Sequence, residues 1–329
     1  MQSRVRIGIS GWNYAPWRGV FYPKGLKHSS ELAFASSSFS SVEVNGTFYS
    51  LQRPSSFERW YAETPPDFVF AVKGSRYITH LLRLKNVQQA LANFFASGVL
   101  CLGEKLGPIL WQLPPQTSYD RERLAGFFEL LPRTLGEAAR LAQNHDERVA
   151  DRSVVSVPAA LEHQALRHTC EVRHETFCVG EYVDLLRQYD IANCIADTAG
   201  RYPCFGDVTT DFAYVRLHGS TELYVSGYSP RELATWAARI RAWMAGKAPP
   251  GLRRVDGTQK LLVPRPRQVF VYFDNDAKVH APFDAQNLIR LLKGKRVQKR
   301  AEPPEDPSLR ATRAARIWLA PRSSRVNSA

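Results

Sequence analysis

The sequence lacks any apolar run of the length that a membrane-spanning helix needs. No stretch of its 329 residues approaches the roughly 20 consecutive apolar residues required to cross a bilayer. The first ten residues lead directly into a strand-like run and lack the charged and then apolar layout of a secretory signal. We therefore expect a cytoplasmic protein with no membrane partner.

Paired cysteines and closely spaced histidines are also lacking. The number of cysteines is odd and none form a Cys-x-x-Cys pair, so a complete disulfide framework is excluded. The sequence contains no His-x-His pair either. We expect reduced thiols and no structural zinc, and we predict no cofactor. The five cysteines are Cys101, Cys170, Cys178, Cys194 and Cys204.

A glycine-rich phosphate loop is missing after the first predicted strand. Residues 6–10 are followed by Gly11-Trp12, with neither a Gly-x-Gly-x-x-Gly pattern nor a P-loop lysine. This disfavours an open, doubly wound nucleotide-binding sheet, which is the main alternative for a chain of mixed helices and strands.

Positive charge is abundant, but it is unevenly distributed. The formal net charge is +13, and an excess of that size suggests an anionic partner such as nucleic acid. From Arg290 onward there are 11 Lys and Arg against three acids, a net of +8, which leaves +5 for the remaining chain. A nucleic-acid role would therefore belong to the tail, for which a merely solvated basic segment is the simpler interpretation.

Eight strand-like segments are present, and most are separated by segments of helical periodicity. This alternation predicts a closed (β/α)8 TIM-type barrel over residues 1–292, slightly irregular because no helix is evident at 198–211. Residues 133–167 form a predicted insertion between strands four and five, and residues 293–329 a basic tail that is poorly ordered or partly helical. The predicted strands are 6–10, 41–45, 67–73, 108–113, 168–174, 191–197, 212–219 and 268–273. The predicted helices are 31–39, 54–64, 84–97, 120–131, 135–143, 181–189, 230–245 and 282–292.

Polar residues collect at the carboxyl ends of these strands, where barrels of this type carry their active sites. In strand five, Glu171 and Arg173 share one face because side chains alternate with period two. Single residues of this set could instead form structural ion pairs that only stabilise the barrel interior. Examples are pairs of Glu43 or Glu171 with Arg173 or Arg216. The candidates are Glu43, Asn45, Lys73, Gln112, Glu171, Arg173, His174, Asp197, Arg216, His218, Asn275 and Asp276. Aromatic candidates to wall or cover a pocket, or simply to pack, are Trp12, Trp17, Tyr224 and Tyr228.

The same residues carry a resemblance to a known family. The matches run in order over about residues 6 to 292, and together they are specific although each alone is weak. They are residues 10–14, 21–23, 42–45 with 47–49, 70–73 with 79–80, 105–108 with 112–115, 171–174, 214–219 and 272–276. The sequence resembles the YecE-like family, also called domain of unknown function 72. Phe177 and Asp274 depart conservatively from the residues common there. The resemblance implies a TIM-type barrel but no activity.

The candidate residues favour an enzyme acting on a small anionic substrate that carries phosphate or carboxylate, with a sugar-like compound as one candidate. Lys73, Arg173 and Arg216 suit anion binding. Glu43, Glu171, His174 and His218 are the candidates for acid and base chemistry, which leaves hydrolase, lyase and isomerase reactions open. The other strand-end residues, with Trp12 and Tyr14, are assigned to substrate binding. A retaining glycosidase is disfavoured, because its carboxylates lie about 5–5.5 Å apart whereas strands two and five lie across a barrel.

Two other functions remain open. A metal-dependent phosphodiesterase or nucleic-acid repair-like barrel would take a divalent metal on oxygen and nitrogen ligands drawn from the set. Three cations in the same place argue against that function. A protein that holds an anion without turnover would use the same residues as the enzyme. The candidate metal ligands are Glu43, Glu171, His174, Asp197, His218 and Asp276.

Overall fold

The computed structural model describes residues 5–256 and 266–298. The residues up to Val297 form one compact unit. Most of the predicted basic tail, from residue 299 onward, lies outside the described residues, so the division into barrel and tail stays a prediction.

Eight parallel strands close into a barrel in the order of the chain. Each strand pairs with the next, and β1 pairs with β8 to complete the ring. The predicted TIM-type fold is therefore confirmed. The strands are β1 Val5–Ser10, β2 Ser41–Val44, β3 Val69–Lys73, β4 Leu106–Gln112, β5 His168–Glu171, β6 Ala192–Asp197, β7 Phe212–Leu217 and β8 Gln268–Phe273.

Nine α-helices lie between and after these strands within the described residues. Helix α8 shows the local signals clearly: the Ser229 hydroxyl and the Glu232 carboxylate cap each other's backbone N–H, and Pro230 occupies the first turn. As predicted, no helix occurs in residues 198–211. The helices are α1 Glu31–Ser38, α2 Gly46–Tyr49, α3 Pro54–Ala62, α4 Gln88–Ala96, α5 Arg121–Glu129, α6 Leu135–Ala142, α7 Gly180–Gln188, α8 Pro230–Met244 and α9 Ala281–Leu292.

Two elements differ from the sequence predictions. The helix predicted from residue 84 begins at Gln88, because Arg83, Leu84 and Asn86 adopt positive φ angles that no helix continues through. A π-helical turn, Tyr77–Leu81, precedes it. Strand β5, predicted to reach residue 174, ends at Glu171. Arg173 therefore belongs to the loop that follows β5.

The strands bury side chains on both faces. The outward face packs against the helices in one large apolar core, while a smaller apolar cluster that includes Cys194, Tyr214 and Tyr272 fills the barrel interior. All five cysteines are free thiols, as expected. Within residues 5–256 and 266–298, no helix combines the length and apolar character that a bilayer crossing requires.

Candidate active site

The guanidinium of Arg216, on β7, lies at the centre of the polar cluster inside the barrel. Its Nη1 donates to Glu171 Oε2 at 2.7 Å, and its Nη2 donates to Glu43 Oε1 and Asp274 Oδ2, each at 2.8 Å. Nη2 also lies 3.1 Å from Ser10 Oγ. Arg216 thus joins side chains from β1, β2, β5 and the end of β8, and it is completely buried.

The two glutamates predicted as catalytic residues are fully occupied by hydrogen bonds. Glu43 accepts from the Tyr214 hydroxyl at 2.6 Å, from Ser10 Oγ and from Arg216. Glu171 accepts from Arg173 Nε at 2.8 Å as well as from Arg216. Burying charges costs free energy unless such partners satisfy them. The geometry therefore favours the structural alternative for both carboxylates, which fix the position of two guanidinium groups.

The pKa of Glu171 supports this assignment. Burial alone raises it, but the charges of Arg173 and Arg216 outweigh burial and hold the pKa well below its usual range. A carboxylate that stays ionised across the working pH range is poorly suited to exchanging protons with a substrate. Glu43 and Glu171 both bind the guanidinium of Arg216. Their carboxylates are therefore neighbours, although strands two and five lie across the barrel.

His218 and Asp274 form the other side of the cluster. His218 Nδ1 lies 3.0 Å from Asp274 Oδ2, and its Nε2 lies 3.3 Å from Arg216 Nη1. Burial and the charge of Arg216 lower the pKa of His218, which is completely buried. Asp274 is not among the predicted site residues, although its neighbours Asn275 and Asp276 are. Its position two residues after inward-facing Tyr272 was the signal that it points into the barrel.

Lys73, at the end of β3, differs from the other cations of the cluster. No residue in the described part of the chain forms an ion pair or hydrogen bond with its Nζ. The Nζ atom lies 4.4 Å from the centre of the Phe48 ring. The residue is 8% exposed. Burial and the charge of Arg216 lower the pKa of Lys73 to about 8, against the opposing effect of three nearby carboxylates.

Arg173 contacts the same cluster from the loop after β5, through its hydrogen bond to Glu171. Its Nη2 donates to Gln112 Oε1 at 3.1 Å and to the Tyr224 hydroxyl at 3.3 Å, and its guanidinium stacks on Tyr202 at 4.9 Å. Within the described residues Nη1 has no hydrogen-bond partner. With its side chain 10% exposed, Arg173 presents this free edge to the mouth of the barrel.

Tyr224 reaches over the cluster from a strained turn after β7. Its φ angle is +64°, an unusual conformation for a bulky residue. The turn begins at Gly219, where φ is +115° and a Cβ atom would lie 2.5 Å from the Glu222 carbonyl oxygen. The Tyr224 ring packs edge-on against His218 at 5.3 Å. The loop therefore covers the buried histidine and offers a hydroxyl to Arg173.

His80 is a site residue that the sequence prediction omitted. It lies on the π-helical turn after β3, where π-type turns often mark functional sites. Its Nδ1 lies 2.8 Å from Thr79 Oγ1, and its ring packs against Phe48 at 5.1 Å. Burial and the charges of Lys73, Arg173 and Arg76 lower the pKa of His80 to about 4. The Thr79-His80 match in the family resemblance was the signal that could have identified it.

A second edge of the cluster is formed by Asn45, Tyr14 and Asp276. Asn45 Nδ2 donates to Ser10 Oγ at 3.0 Å, and the Tyr14 hydroxyl donates to the Ser10 carbonyl oxygen at 2.6 Å. Burial and the charge of Asp274 raise the pKa of Asp276 to about 7, against a smaller lowering by hydrogen bonds that include one from Tyr14. Of the predicted carboxylates, Asp276 is the one whose pKa is raised to near neutrality.

Three predicted residues do not join the cluster: Asp197, Asn275 and His174. Asp197 pairs in register with Leu217, next to inward-facing Arg216, so it points outward and accepts from the Tyr228 hydroxyl at 3.2 Å. Asn275 Nδ2 donates to Asp284 Oδ2 at 2.9 Å and to the Ser226 carbonyl oxygen at 3.0 Å. It therefore ties helix α9 to the loop after β7.

His174 caps a short 3₁₀ turn, Glu175–Phe177, through Thr176. Its Nδ1 lies 2.9 Å from Thr176 Oγ1 and accepts the Thr176 backbone N–H. Strand β5 ends before His174, so the two-residue alternation that would have directed it inward does not apply. Its predicted catalytic role gains no contact within the described cluster.

The predicted metal ligands do not form one coordination set. Asp197 and His174 lie apart from the cluster, and the carboxylates of Glu43 and Glu171 already bind guanidinium groups. Across the two described ranges, no group of three His, Cys, Asp or Glu side chains is arranged to hold a metal ion.

A cavity of about 540 Å³ lies beside the cluster, between the segments that follow β1 and β2. Trp12, Tyr14, Asn45 and Trp60 are among its lining residues, whereas Lys73 is not. Trp12 packs edge-on against Trp60 at 5.2 Å. The volume suits a small molecule. Tyr14 and Asn45 border both this cavity and the cluster, while the charged mouth itself lies around Lys73 and Arg173.

Comparison with known proteins identifies relatives of the chain. A family model described as "Protein of unknown function DUF72" matches residues 6–308, which confirms the resemblance seen in the sequence. The UPF0759 protein YunF of Bacillus subtilis is 29% identical over 126 residues, covering 37% of this chain and 44% of YunF. The UPF0759 protein YecE of Escherichia coli K12 is 26% identical over 133 residues, covering 40% of this chain and 45% of YecE. The chain thus spans less than half the length of these curated relatives.

Solved structures show the same fold. A DUF72 family protein from Thermotoga maritima is similar with a TM-score of 0.65 at 25% identity, covering 88% of this chain and 99% of that one. A DUF72 family protein from Enterococcus faecalis is similar with a TM-score of 0.63 at 14% identity, covering 92% of this chain and 99% of that one.

Proposed function

Because the chain belongs to the DUF72 family, a family of unknown function, we propose a function from its own site: it is a barrel enzyme that binds a small anionic substrate. The substrate carries a carboxylate or a phosphate and binds between Lys73 and Arg173. One observation supports the proposal above the others. Lys73 is a nearly buried ammonium that forms no ion pair with any described residue, whereas Arg216 binds three carboxylates.

The cluster leaves Lys73 without an ion pair to any described residue. Arg216 binds the three inner carboxylates, and Glu171 also binds Arg173 Nε, so that Arg173 Nη1 has no hydrogen-bond partner among the described residues. A guanidinium and an ammonium in a partly dehydrated opening attract an oxyanion more strongly than they would in water. The inner network therefore supports anion binding by positioning the two residues that would make contact.

Proton transfer is assigned to the groups whose pKa values are moved toward neutrality. The pKa of Lys73 is lowered to about 8 and that of Asp276 is raised to about 7. A group that acts as acid or base works best when its pKa lies near the working pH. This assignment replaces Glu43 and Glu171 as the proton-transfer candidates and keeps acid and base chemistry as the reaction type.

Anion binding is tested by thermal unfolding with inorganic sulfate or phosphate as the probe, at an ionic strength held constant with chloride. At a concentration about ten times the dissociation constant, binding is worth about 1.4 kcal/mol, or roughly 2 °C in Tm for a protein of this size. We expect this shift in the wild type and its loss in Lys73→Met. Lys85→Met, at an exposed position, is the matched control and should retain the shift.

An equal sulfate shift in Lys73→Met and the wild type would overturn the proposed site. Comparing sulfate with chloride within each variant removes any change in stability that the substitution itself causes. Binding without turnover of any carboxylate or phosphate compound would leave the third alternative, a non-catalytic anion-binding protein. The nucleic-acid role of the basic tail stays a separate prediction, because that segment lies outside the described residues.

A further inference from the structure

Lys73 and Lys105 are the two buried lysines in the described part of the chain, and their surroundings differ. Lys105 Nζ donates to the Tyr61 carbonyl oxygen at 2.6 Å and to the Thr64 carbonyl oxygen at 2.8 Å, and lies 3.2 Å from Thr64 Oγ1. All three of its hydrogens thus have acceptors. No described residue accepts a hydrogen bond from Lys73 Nζ, although Lys73 is nearly as buried as Lys105, with exposures of 8% and 3% for the two residues.

An amine with such surroundings is placed to react rather than to support the fold. A structural ammonium needs acceptors for its three N–H groups, because burying them unsatisfied costs free energy. The Phe48 ring against Lys73 can accommodate a neutral amine as well as a charged one. We propose that Lys73 is a nucleophile that forms a Schiff base with a small carbonyl compound bearing a carboxylate or phosphate. This inference rests on the proposed anion site, whose Arg173 would hold the anionic end.

Burial, the largest effect, favours the neutral amine that this reaction requires. Burial and Arg216 lower the pKa of Lys73 to about 8, while the carboxylates oppose this effect. Compared with an ordinary lysine, the neutral fraction at pH 7 is therefore larger by a factor on the order of one hundred. The ionisable groups that act on Lys73 are Arg216, Glu43, Glu171, Asp274 and, from the π-helical turn, His80.

His80 lies on the π-helical turn next to this site and is neutral at pH 7, because its pKa is lowered to about 4. Its Nδ1 is held by Thr79, and its Nε2 has no hydrogen-bond partner among the described residues. The amine nitrogen of Lys73 attacks the carbonyl carbon, forming the C–N bond and leaving a carbinolamine. The ammonium first gives its proton to solvent water, and solvent returns a proton to the carbinolamine hydroxyl. That group then leaves as water, and an iminium forms with no net change in protons.

The test traps the iminium on the wild-type full-length chain. The protein is incubated with glyoxylate, a carboxylate-bearing aldehyde, and sodium cyanoborohydride, whose hydride reduces the C=N bond to a stable secondary amine. Peptide mass mapping then gives the initial labelling rate at each lysine. Lys73 should be labelled at least tenfold faster than exposed Lys85 at pH 7, with a rate that levels off above about pH 8. Lys105 should remain unlabelled.

A second charged probe tests whether the site prefers a carboxylate or a phosphate. A charge-conserving variant tests Lys73 without removing its positive charge. Glycolaldehyde phosphate replaces glyoxylate in a parallel reaction, and uncharged glycolaldehyde is the control that lacks an anion. Faster trapping of one charged probe identifies its anion as the preferred group. Lys73→Arg keeps the positive charge and should abolish labelling at position 73 while retaining the sulfate shift in Tm.

The outcomes distinguish this inference from the function on which it rests. If sulfate raises Tm in a Lys73-dependent way but Lys73 is trapped no faster than Lys85, the Schiff-base proposal is overturned and the anion site stands. If sulfate has no effect and uncharged glycolaldehyde reacts as fast as glyoxylate, the anion site is overturned. Fast, anion-dependent trapping at Lys73 supports both.

Discussion

The raised pKa of Asp276 predicts that replacing this residue will stabilise the protein, by an amount that depends on pH. The pKa lies at about 7 in the folded chain, against an ordinary value of 3.8. A carboxyl whose folded pKa is raised favours folding only while it is protonated. As pH rises from about 4 to about 7, the unfolded chain loses this proton first, so the wild type loses stability. Asp276→Asn removes that loss.

The magnitude follows from the same two values. The gap between 3.8 and about 7 corresponds to about 4 kcal/mol at 1.36 kcal/mol for each unit of pH. Asp276 is only partly buried, so solvent screening reduces this upper bound to roughly 2 kcal/mol. Most of the difference accumulates between pH 5 and pH 8. We therefore expect Asp276→Asn to gain about 1 kcal/mol more over the wild type at pH 8 than at pH 5.

Urea unfolding at the two pH values measures this difference directly. Asp151→Asn, at an exposed position, is the control and should alter the stability equally at both. A gain for Asp276→Asn that is independent of pH would mean that the carboxyl is ionised in the folded state at pH 5. Its role as a proton-transfer group near neutral pH would then be refuted.

Two further substitutions test the inner network. Arg216→Met removes the cation shared by three buried carboxylates, of which Glu171 keeps a second guanidinium, that of Arg173. The substitution should lower the unfolding free energy by about 3–5 kcal/mol in urea titration. Arg59→Met, at an exposed pair, should cost less than about 1 kcal/mol, and similar losses in both would show that the network contributes little. Glu171→Gln should lower the unfolding free energy by about 1–3 kcal/mol. It should also weaken sulfate binding, because Arg173 loses the carboxylate that positions it, and the sulfate-dependent Tm shift should become smaller. An unchanged shift would exclude this positioning role.

The sequence contained enough information for the barrel and for the core of the site. Alternating hydrophobic runs and helix caps defined the elements, and the two-residue alternation directed Glu43 and Arg216 inward correctly. The two-residue alternation could not show whether the residue at or just beyond a strand end faces the interior or the exterior. That orientation depends on the register with the neighbouring strand. Asp197 was therefore included and Asp274 passed over.

Residues on irregular backbone could not be found by periodicity. His80 lies on a π-helical turn followed by residues with positive φ angles, and no repeating pattern marks such a turn. The covering position of Tyr224 depends likewise on a strained conformation and on the glycine turn before it. The protonation state of each carboxylate could not be predicted either, because its pKa depends on which cations the carboxylate contacts.

The contacts of Arg216 imply that neither half of the barrel is self-sufficient. The first four strands supply Glu43 and Lys73, while the last four and their loops supply Glu171, Arg216 and Asp274. Cut between β4 and β5, each fragment would contain charged side chains separated from the partners that bind them in the intact chain. The network therefore makes ring closure an all-or-none event, and separately expressed halves should remain unfolded until they are mixed.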